Sequence, residues 1–432
     1  MRRITLRCWA AVGAALLMFS TAAPVGATDH RWAPAMEMED GDHMTRPAMA
    51  TPDRPEPVEI ATPKGAAGQA DPVKITAPSA ILIESKSGRV LYQKNAHERR
   101  NPASVTKIMT LIVAFDALRD GKVKLDDPVT VSDEAAKQIG TIIFADTGET
   151  FKFEELLLSV AVGSANDAAV SVAEHVAGSV DAFVKMMNDK ARELGMNDTQ
   201  FMNPTGLSAD GHVTSAYDIA LMSRYAANNY PELMKLTAIY GADLKVPWRK
   251  NGPVFRLWNN NKLLTWYQGA DGMKTGWTEA AGYCLAATAV KNGVRMISVI
   301  MGSDSPKVRN AEAARLLDYG FANYTSVEIA KAGQKFGPVH VARGKQTQIL
   351  LVPRTAFGVS VAKGEQKKVK SEVKLPKRVV APLTKGQAVG EIIATLDGKE
   401  IGRMELVSPV DVERANLWQT MLQHLKGVFT LR

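Results

Sequence analysis

From Asn101 the chain reads NPASVTKIMT, and the residues that follow leave little freedom in how the rest can fold. Pro102 suits the opening of a helix, since its φ is already fixed and it has no N–H to leave unpaired. After it come Ile108, Met109, Leu111, Ile112, Val113, Ala114 and Phe115. This run has no clean polar face, so a helix over residues 102–118 must be buried on every side. A chain of 432 residues with 46% hydrophobic content is long enough to build the core this requires. At the start of the helix Ser104 and Lys107 lie three residues apart and project from one face. A lysine kept from water becomes neutral enough to take the proton of a serine hydroxyl, which a serine needs before it can attack a carbonyl. The N–H of Ser104 also lies in the first turn, unpaired within the helix and at its positive end, where it suits a developing oxyanion. By itself Ser-x-x-Lys is an ordinary polar pair in most helices, so it has to be weighed with the rest of the chain.

The first residues carry Arg2, Arg3 and Arg7, then an apolar stretch from Trp9 to Phe19, with small residues at Val25 and Ala27. This is the pattern of a secretory signal peptide over residues 1–27. Its removal leaves a single cysteine, Cys284, so no intramolecular disulfide can form. The apolar context GYCLAATAV offers no base to activate that thiol, which reads as a buried strand residue. The formal charge is +8; taking off the three leader arginines and a spacer with nine acidic and five basic residues leaves about +9 on the folded remainder. No nucleic-acid motif accompanies that charge, and a cell-envelope surface suits it better.

Residues 28–76 are rich in Pro, Ala, Met and acidic residues without a sustained period, as in a disordered spacer. His30, His43 and four nearby methionines are read as part of that solvated linker rather than as a metal site. Structure is expected from residue 77. Residues 80–84 and 90–92 flank Ser85-Lys86-Ser87-Gly88-Arg89 as a hairpin. Helices are expected at 152–162, 167–177, 180–194, 217–228 and 307–323, with a break at Gly163-Ser164-Ala165-Asn166 and a loop at 201–214. Strands are expected at 272–276, 282–290 and 294–302, the last two joined through Asn292-Gly293, a strong hairpin signal. Helices in the middle and strands at both ends give one sheet covered by helices, of class α+β (mixed α/β), over residues 77–325. Residues 326–410 change to short alternating stretches at 348–352, 359–361, 369–373 and 391–396, which read as a small all-β, sandwich-like domain. Residues 411–432 change again. On a helix, Leu417, Trp418, Met421, Leu422, Leu425, Val428 and Phe429 form one face with basic residues off it, an amphipathic pattern suited to a membrane surface.

Two more short motifs accompany Ser104-x-x-Lys107. Ser164-Ala165-Asn166 falls at the helix break, where Ser164 is placed to relay a proton and Asn166 to hold Lys107 or bond a substrate amide. Lys274-Thr275-Gly276 falls on a strand, where Lys274 is placed for a carboxylate and Gly276 for the close approach of a backbone. Three common motifs in this order, behind a signal peptide, make one constellation.

PASVTKIMT, GSANDAA and DGMKTGWTEAAGYC resemble the penicillin-binding serine acyl-transferases, whose motifs are S-x-x-K, S-x-N and K-T-G. Within these the resemblance is to the low-molecular-mass D-alanyl-D-alanine carboxypeptidases, and it runs from about residue 77 to the C-terminus. It implies a β-lactamase/transpeptidase-like catalytic domain with an antiparallel sheet. It implies acylation of Ser104 by the penultimate D-Ala of a peptidoglycan stem peptide, Lys107 as base and Ser164 as proton shuttle. The oxyanion hole would be the N–H groups of Ser104 and Trp277. Asn166, Lys274, Thr275, Gly276 and Arg309 would bind substrate, Lys274, Thr275 and Arg309 at its carboxylate. It implies covalent inhibition by β-lactams, a peripheral place on the outer face of the cell membrane, and no cofactor or metal. Thr205, in FMNPTGLSADGH, stands where many relatives carry histidine, and Trp277 where others carry histidine or tyrosine. The alternatives using the same residues are a D,D-endopeptidase or transpeptidase and a class A-like β-lactamase. For the last, the nearest deacylating-glutamate segment is Glu193-Leu-Gly-Met-Asn197, which reads as the end of a helix.

Overall fold

The computed structural model describes residues 73–246, 252 and 254–416. The expected leader at 1–27, the spacer up to residue 72 and the terminal segment from 417 lie outside these. The described structure already includes core residues before the expected start at residue 77. Val73 and Ile75 are buried in the core, and the N–H of Ala77 donates to the buried Glu312 carboxylate at 3.1 Å. Two β-branched apolar residues after Pro72 are enough to dock the end of the spacer.

Five antiparallel strands form the main sheet: β1 (Ser79–Glu84), β2 (Val90–Lys94), β3 (Ala270–Thr278), β4 (Gly282–Lys291) and β5 (Val294–Ser303), in spatial order β2-β1-β5-β4-β3. The sheet is buried on both faces. Leu82, Leu285, Ala287, Met296 and Ile300 turn to one side, where they meet Ala313, Leu316 and Leu317 of the Pro306–Asn323 helix. Ile81, Ile83, Ile297 and Val299 alternate to the other side and are equally buried. Covering both faces explains why these strands read as nearly continuous apolar runs.

On the far side α1 (Lys107–Arg119) meets the sheet, α2 (Phe153–Leu158), α3 (Asn166–Ala177) and α4 (Val180–Glu193) pack as a further helical layer with it, and α5 (Ala216–Asn229) again lies on the sheet. Helix α1 has eleven buried residues of thirteen, as its all-round apolar sequence demands. Expectation and structure differ at residue 159. The expected helix at 152–162 ends as α-helix at Leu158 and continues as a π-turn, Ser159–Gly163, which delivers Ser164 in the left-handed region at φ +61°. Two short strand pairs escape the sequence reading, Pro128–Thr130 with Thr150–Lys152 and Gly241–Lys245 with Val254–Trp258.

The all-β region follows α-helix without a linker, its first strand starting at Tyr324. Its six-stranded sheet runs, in spatial order, 369–374, 388–396, 399–407, 348–353, 336–342 and 378–380, beside a separate pair of Tyr324–Ala330 with Phe357–Ala362. Lys399–Val407 is unanticipated because Glu400, Arg403 and Glu405 break its apolar alternation. Residues 411–416, expected to open the terminal helix, are extended instead. Val412 is buried and bridges Leu383, and Arg414 bridges Gly344, so the β-domain claims them through backbone pairing. Among the described residues no helix is long and apolar enough to cross a membrane.

Candidate active site

Ser104 lies in a single 3-10 turn, Ala103–Thr106, and α1 proper begins at Lys107. Ala103 holds φ +49°, a region that a residue with a Cβ rarely adopts. Two glycines press on this turn. A Cβ at Gly276 would stand 2.8 Å from Ser104 N, and one at Gly206 only 2.0 Å from the Ala103 carbonyl oxygen. Gly276 thus also makes room for the Ser104 turn itself, beside the expected close approach of a substrate backbone. Gly206, which the sequence reading did not select, clamps the turn from the other side.

Lys107 is wholly buried, and its Nζ has three neighbours: Asn166 Oδ1 at 2.6 Å, the Thr205 carbonyl at 2.6 Å and Ser104 Oγ at 3.1 Å. Burial first, then the nearby Lys274 charge, push its pKa well below the ordinary lysine value, while Asp167 opposes the shift. Two of the three neighbours can only accept. A neutral amine therefore spends its two hydrogens on Asn166 and Thr205, and its lone pair faces Ser104 Oγ. The orientation of Asn166 is set independently, since its Nδ2 donates to the Ile139 carbonyl at 2.6 Å. Asn166 accordingly serves the lysine, one of the two roles its motif allowed.

The loop carrying Thr205 is itself fixed. Asn203 Oδ1 accepts from Thr205 N and Gly206 N, Thr110 Oγ1 donates to the Pro204 carbonyl, and His212 bridges Thr106 Oγ1 and Met202 N. Burial lowers the pKa of His212 to about 4, so this bridge is a neutral one at physiological pH. Because the contribution of Thr205 is a backbone carbonyl, no side-chain motif announces it.

Ser164 Oγ accepts from Lys274 Nζ at 2.8 Å rather than meeting Lys107, and Lys274 also donates to the Thr275 carbonyl at 3.1 Å. Lys274 is buried, and burial followed by the charge of Arg309 lowers its pKa to about 7. Arg309 is buried as well. It is held by Asn310 Oδ1 at 3.1 and 3.0 Å, and burial lowers its pKa to about 10. Among the described residues neither cation has a carboxylate partner. A pair of desolvated, unneutralised positive charges is a site made for an anion. Strand β3 is the sheet edge here, so its outer backbone groups are open to an added strand, and Trp277 stands 57% exposed at the rim with its ring 5.9 Å from Tyr283. Glu193 is elsewhere, exposed at the end of α4 and paired with Lys190 at 2.7 Å. Among the described residues no group of acidic, histidine or cysteine side chains has the arrangement to hold a metal ion.

Comparison with known proteins follows the same division of the chain. Residues 65–305 match the peptidase S11 family model, described as D-alanyl-D-alanine carboxypeptidase, and residues 324–414 match the model of the penicillin-binding protein 5 C-terminal domain. The chain is 40% identical to the D-alanyl-D-alanine carboxypeptidase DacF of Bacillus subtilis over 355 residues, covering 82% of this chain and 90% of that one. Penicillin-binding protein 5 of Haemophilus influenzae superposes with a TM-score of 0.63 at 34% identity, covering 80% of this chain and all of that structure. Penicillin-binding protein D2 of Listeria monocytogenes, solved in its ampicillin-bound form, superposes at 0.51 with 29% identity over 57% of this chain and 98% of that one.

The clamp on the Ser104 turn is open to test. A Gly206→Ala substitution meets both a forbidden φ of +83° and a backbone oxygen. It is expected to cost about 2–4 kcal/mol of stability, the strain of a left-handed alanine plus overpacking. A thermal melt measures that cost, and the rate of covalent labelling by a fluorescent penicillin is expected to fall with it.

Proposed function

Since the chain belongs to the D-alanyl-D-alanine carboxypeptidase family, we propose that Ser104 attacks the penultimate D-alanine carbonyl of a peptidoglycan stem peptide and releases the terminal D-alanine. The observation that carries this reading is the buried Lys107 amine, whose two acceptor-only partners leave its lone pair facing Ser104 Oγ. The Ser104 proton passes to Lys107 Nζ as Oγ bonds to the carbonyl carbon, and the oxyanion forms between the N–H groups of Ser104 and Trp277. Lys274, Thr275 and Arg309 hold the terminal carboxylate and bring the scissile bond to Oγ. Lys274 donates to Ser164 Oγ, so the hydroxyl hydrogen of Ser164 is free to reach the leaving nitrogen. As the C–N bond breaks, that nitrogen takes the Ser164 hydroxyl proton, and Ser164, paired with Lys274 in the free protein, turns to Lys107 to recover one, so that the proton taken from Ser104 ends on the leaving amine. D-alanine departs as the free amino acid. Water then repeats the attack on the acyl-enzyme, with Lys107 neutral again and able to accept its proton.

A β-lactam ring presents a strained amide and a carboxylate to the same groups, so it acylates Ser104 by the same first step. Among the described residues no carboxylate bonds to Lys107 or Lys274, and Glu193 is exposed at the end of α4 and engaged by Lys190. The adduct is therefore read as long-lived, which favours a penicillin-binding enzyme over a β-lactamase. The substrate's place outside the cytoplasmic membrane agrees with the leader read over residues 1–27, and the amphipathic segment read over 411–432, shortened to 417–432, is assigned to the membrane surface.

Three measurements bear on this. Release of free D-alanine from an acyl-D-Ala-D-Ala peptide is expected from the wild type and absent from Ser104→Ala; release persisting without Ser104 would refute the nucleophile assignment. The second concerns pH. Lys274 must be protonated to hold a carboxylate, and its pKa lies near 7 in the free protein. Above that pH kcat/KM for the peptide acid should fall roughly tenfold per unit, while a peptide ending in an amide should show no such limb. A limb common to both peptides would assign it to another group. Third, deleting residues 417–432 should move the protein from the membrane to the soluble fraction with turnover of a small peptide retained.

A further inference from the structure

Charge is divided unevenly along the chain. Residues 77–323, which hold the catalytic site, carry 27 Lys and Arg against 27 Asp and Glu. Residues 324–416, the β-domain, carry 16 against 9, a net +7. Residues 417–432 add Lys426 and Arg432 and no acid. The positive excess therefore does not serve the cleft, whose surrounding domain is neutral. It belongs to the β-domain and to the segment that follows it.

That segment leaves the β-domain at one place. Arg414 bridges Gly344, and its Nε donates to the Ala381 carbonyl at 3.1 Å. The N–H of Ala415 donates to the Arg343 carbonyl at 2.8 Å, and the N–H of Ala381 to the Ala342 carbonyl at 2.9 Å. The strand Arg378–Val380 closes the six-stranded sheet at this edge. It runs parallel to Phe336–Ala342, with Arg378 opposite His340 and Val380 opposite Ala342. These pairings gather Arg343, Arg378 and Arg414 around the point from which residue 417 continues.

All three arginines are exposed, and none has a carboxylate partner among the described residues. The nearby acids are engaged elsewhere: Glu413 pairs with Lys345, and Asp411 accepts from the N–H of Lys385 at 2.7 Å. Val380, on the same strand face as Arg378, is 53% exposed. A sheet edge needs charge to discourage pairing with another strand, and Arg378 beside Lys377 meets that need. It does not account for Arg343 and Arg414, which lie off that strand and on the path of the departing chain.

We propose that this edge of the β-domain, around Arg343, Arg378 and Arg414, docks on the headgroups of anionic phospholipids. The proposal rests on the reading of residues 417–432 as a membrane-surface segment and adds the lipid class it meets. Leu417 and Trp418 follow Asn416 directly, so a segment laid in the interface brings the three guanidinium groups to headgroup level. An anionic wall polymer would satisfy the charge but not the apolar residues that begin at Leu417, and this favours lipid. Attachment then has two parts, an apolar one in the terminal segment and an electrostatic one on the folded domain.

The test is cosedimentation of the full chain with vesicles of phosphatidylcholine alone and of phosphatidylcholine mixed with phosphatidylglycerol. The wild type should bind the anionic vesicles more tightly, and added salt should erase the difference. Replacing Arg343→Gln and Arg378→Gln together should weaken binding to anionic vesicles roughly thirtyfold at low salt and leave binding to neutral vesicles unchanged. Lys370→Gln with Lys374→Gln removes the same charge from the opposite sheet edge, Val369–Lys374, and should weaken binding by no more than about threefold, because distant charges are screened. Melting temperature and turnover of a small peptide should match the wild type in both double variants, since all four side chains are exposed. Equal losses in the two, or no loss in either, overturns the docking face. So does a loss seen only with purified cell walls, which would give the surface to a wall polymer. A wild type that binds both vesicles equally keeps the terminal segment and overturns the face; one that binds neither overturns both.

Discussion

The amine of Lys107 is wholly buried against Asn166 Oδ1, the Thr205 carbonyl and Ser104 Oγ, and this desolvation holds its pKa well below the ordinary lysine value. Each part of the surrounding fold maintains it. Helix α1 is apolar on all sides, so its first residue lies inside the domain rather than on a surface. The loop at 201–212 supplies one acceptor, and its position is held by Asn203, Thr110 and His212. The segment at 139–141 aligns the other acceptor by bonding Asn166. Gly206 and Gly276 then hold the serine turn against the lysine at a distance that no side chain at either position would permit.

Electrostatics joins the two halves of the site. Arg309 lowers Lys274, and Lys274 lowers Lys107, each acting on a neighbour already desolvated by burial. In the free protein this is an unfavourable cluster of like charge, offset near Lys107 by Asp167. Under the proposed mode of binding, a substrate carboxylate at Lys274 and Arg309 relieves it and restores the Lys274 proton. Binding energy would then be concentrated on peptides that end in a free carboxylate.

Much of this was legible in the chain. The apolar run after Ser104 requires a buried helix, and Asn292-Gly293 requires the hairpin that joins β4 and β5, because these signals are local. The strands of the β-domain at 348–353, 369–374 and 388–396 appear through their alternation. Less legible were the π-turn at 159–163 and the short pair 241–245 with 254–258, whose conformations are imposed by packing against other elements rather than by their own periodicity. Residues 411–416 were read as the start of a helix, but pairing with Leu383 and Gly344 outweighs local preference there.

The sequence alone determined the chemical groups: a serine and lysine on one helix turn, a serine and asparagine at a helix break, a lysine on a strand, and the order that makes them one constellation. Spacing along a helix or strand is a local property, so it survives without tertiary information. Only the tertiary structure decided what those groups do to one another. The lone-pair direction of Lys107 depends on a carbonyl 98 residues away, and the pairing of Ser164 with Lys274 spans 110 residues. Backbone carbonyls have no signature in a side-chain code, and pKa values depend on burial and neighbouring charge that exist only once the chain has closed around the site.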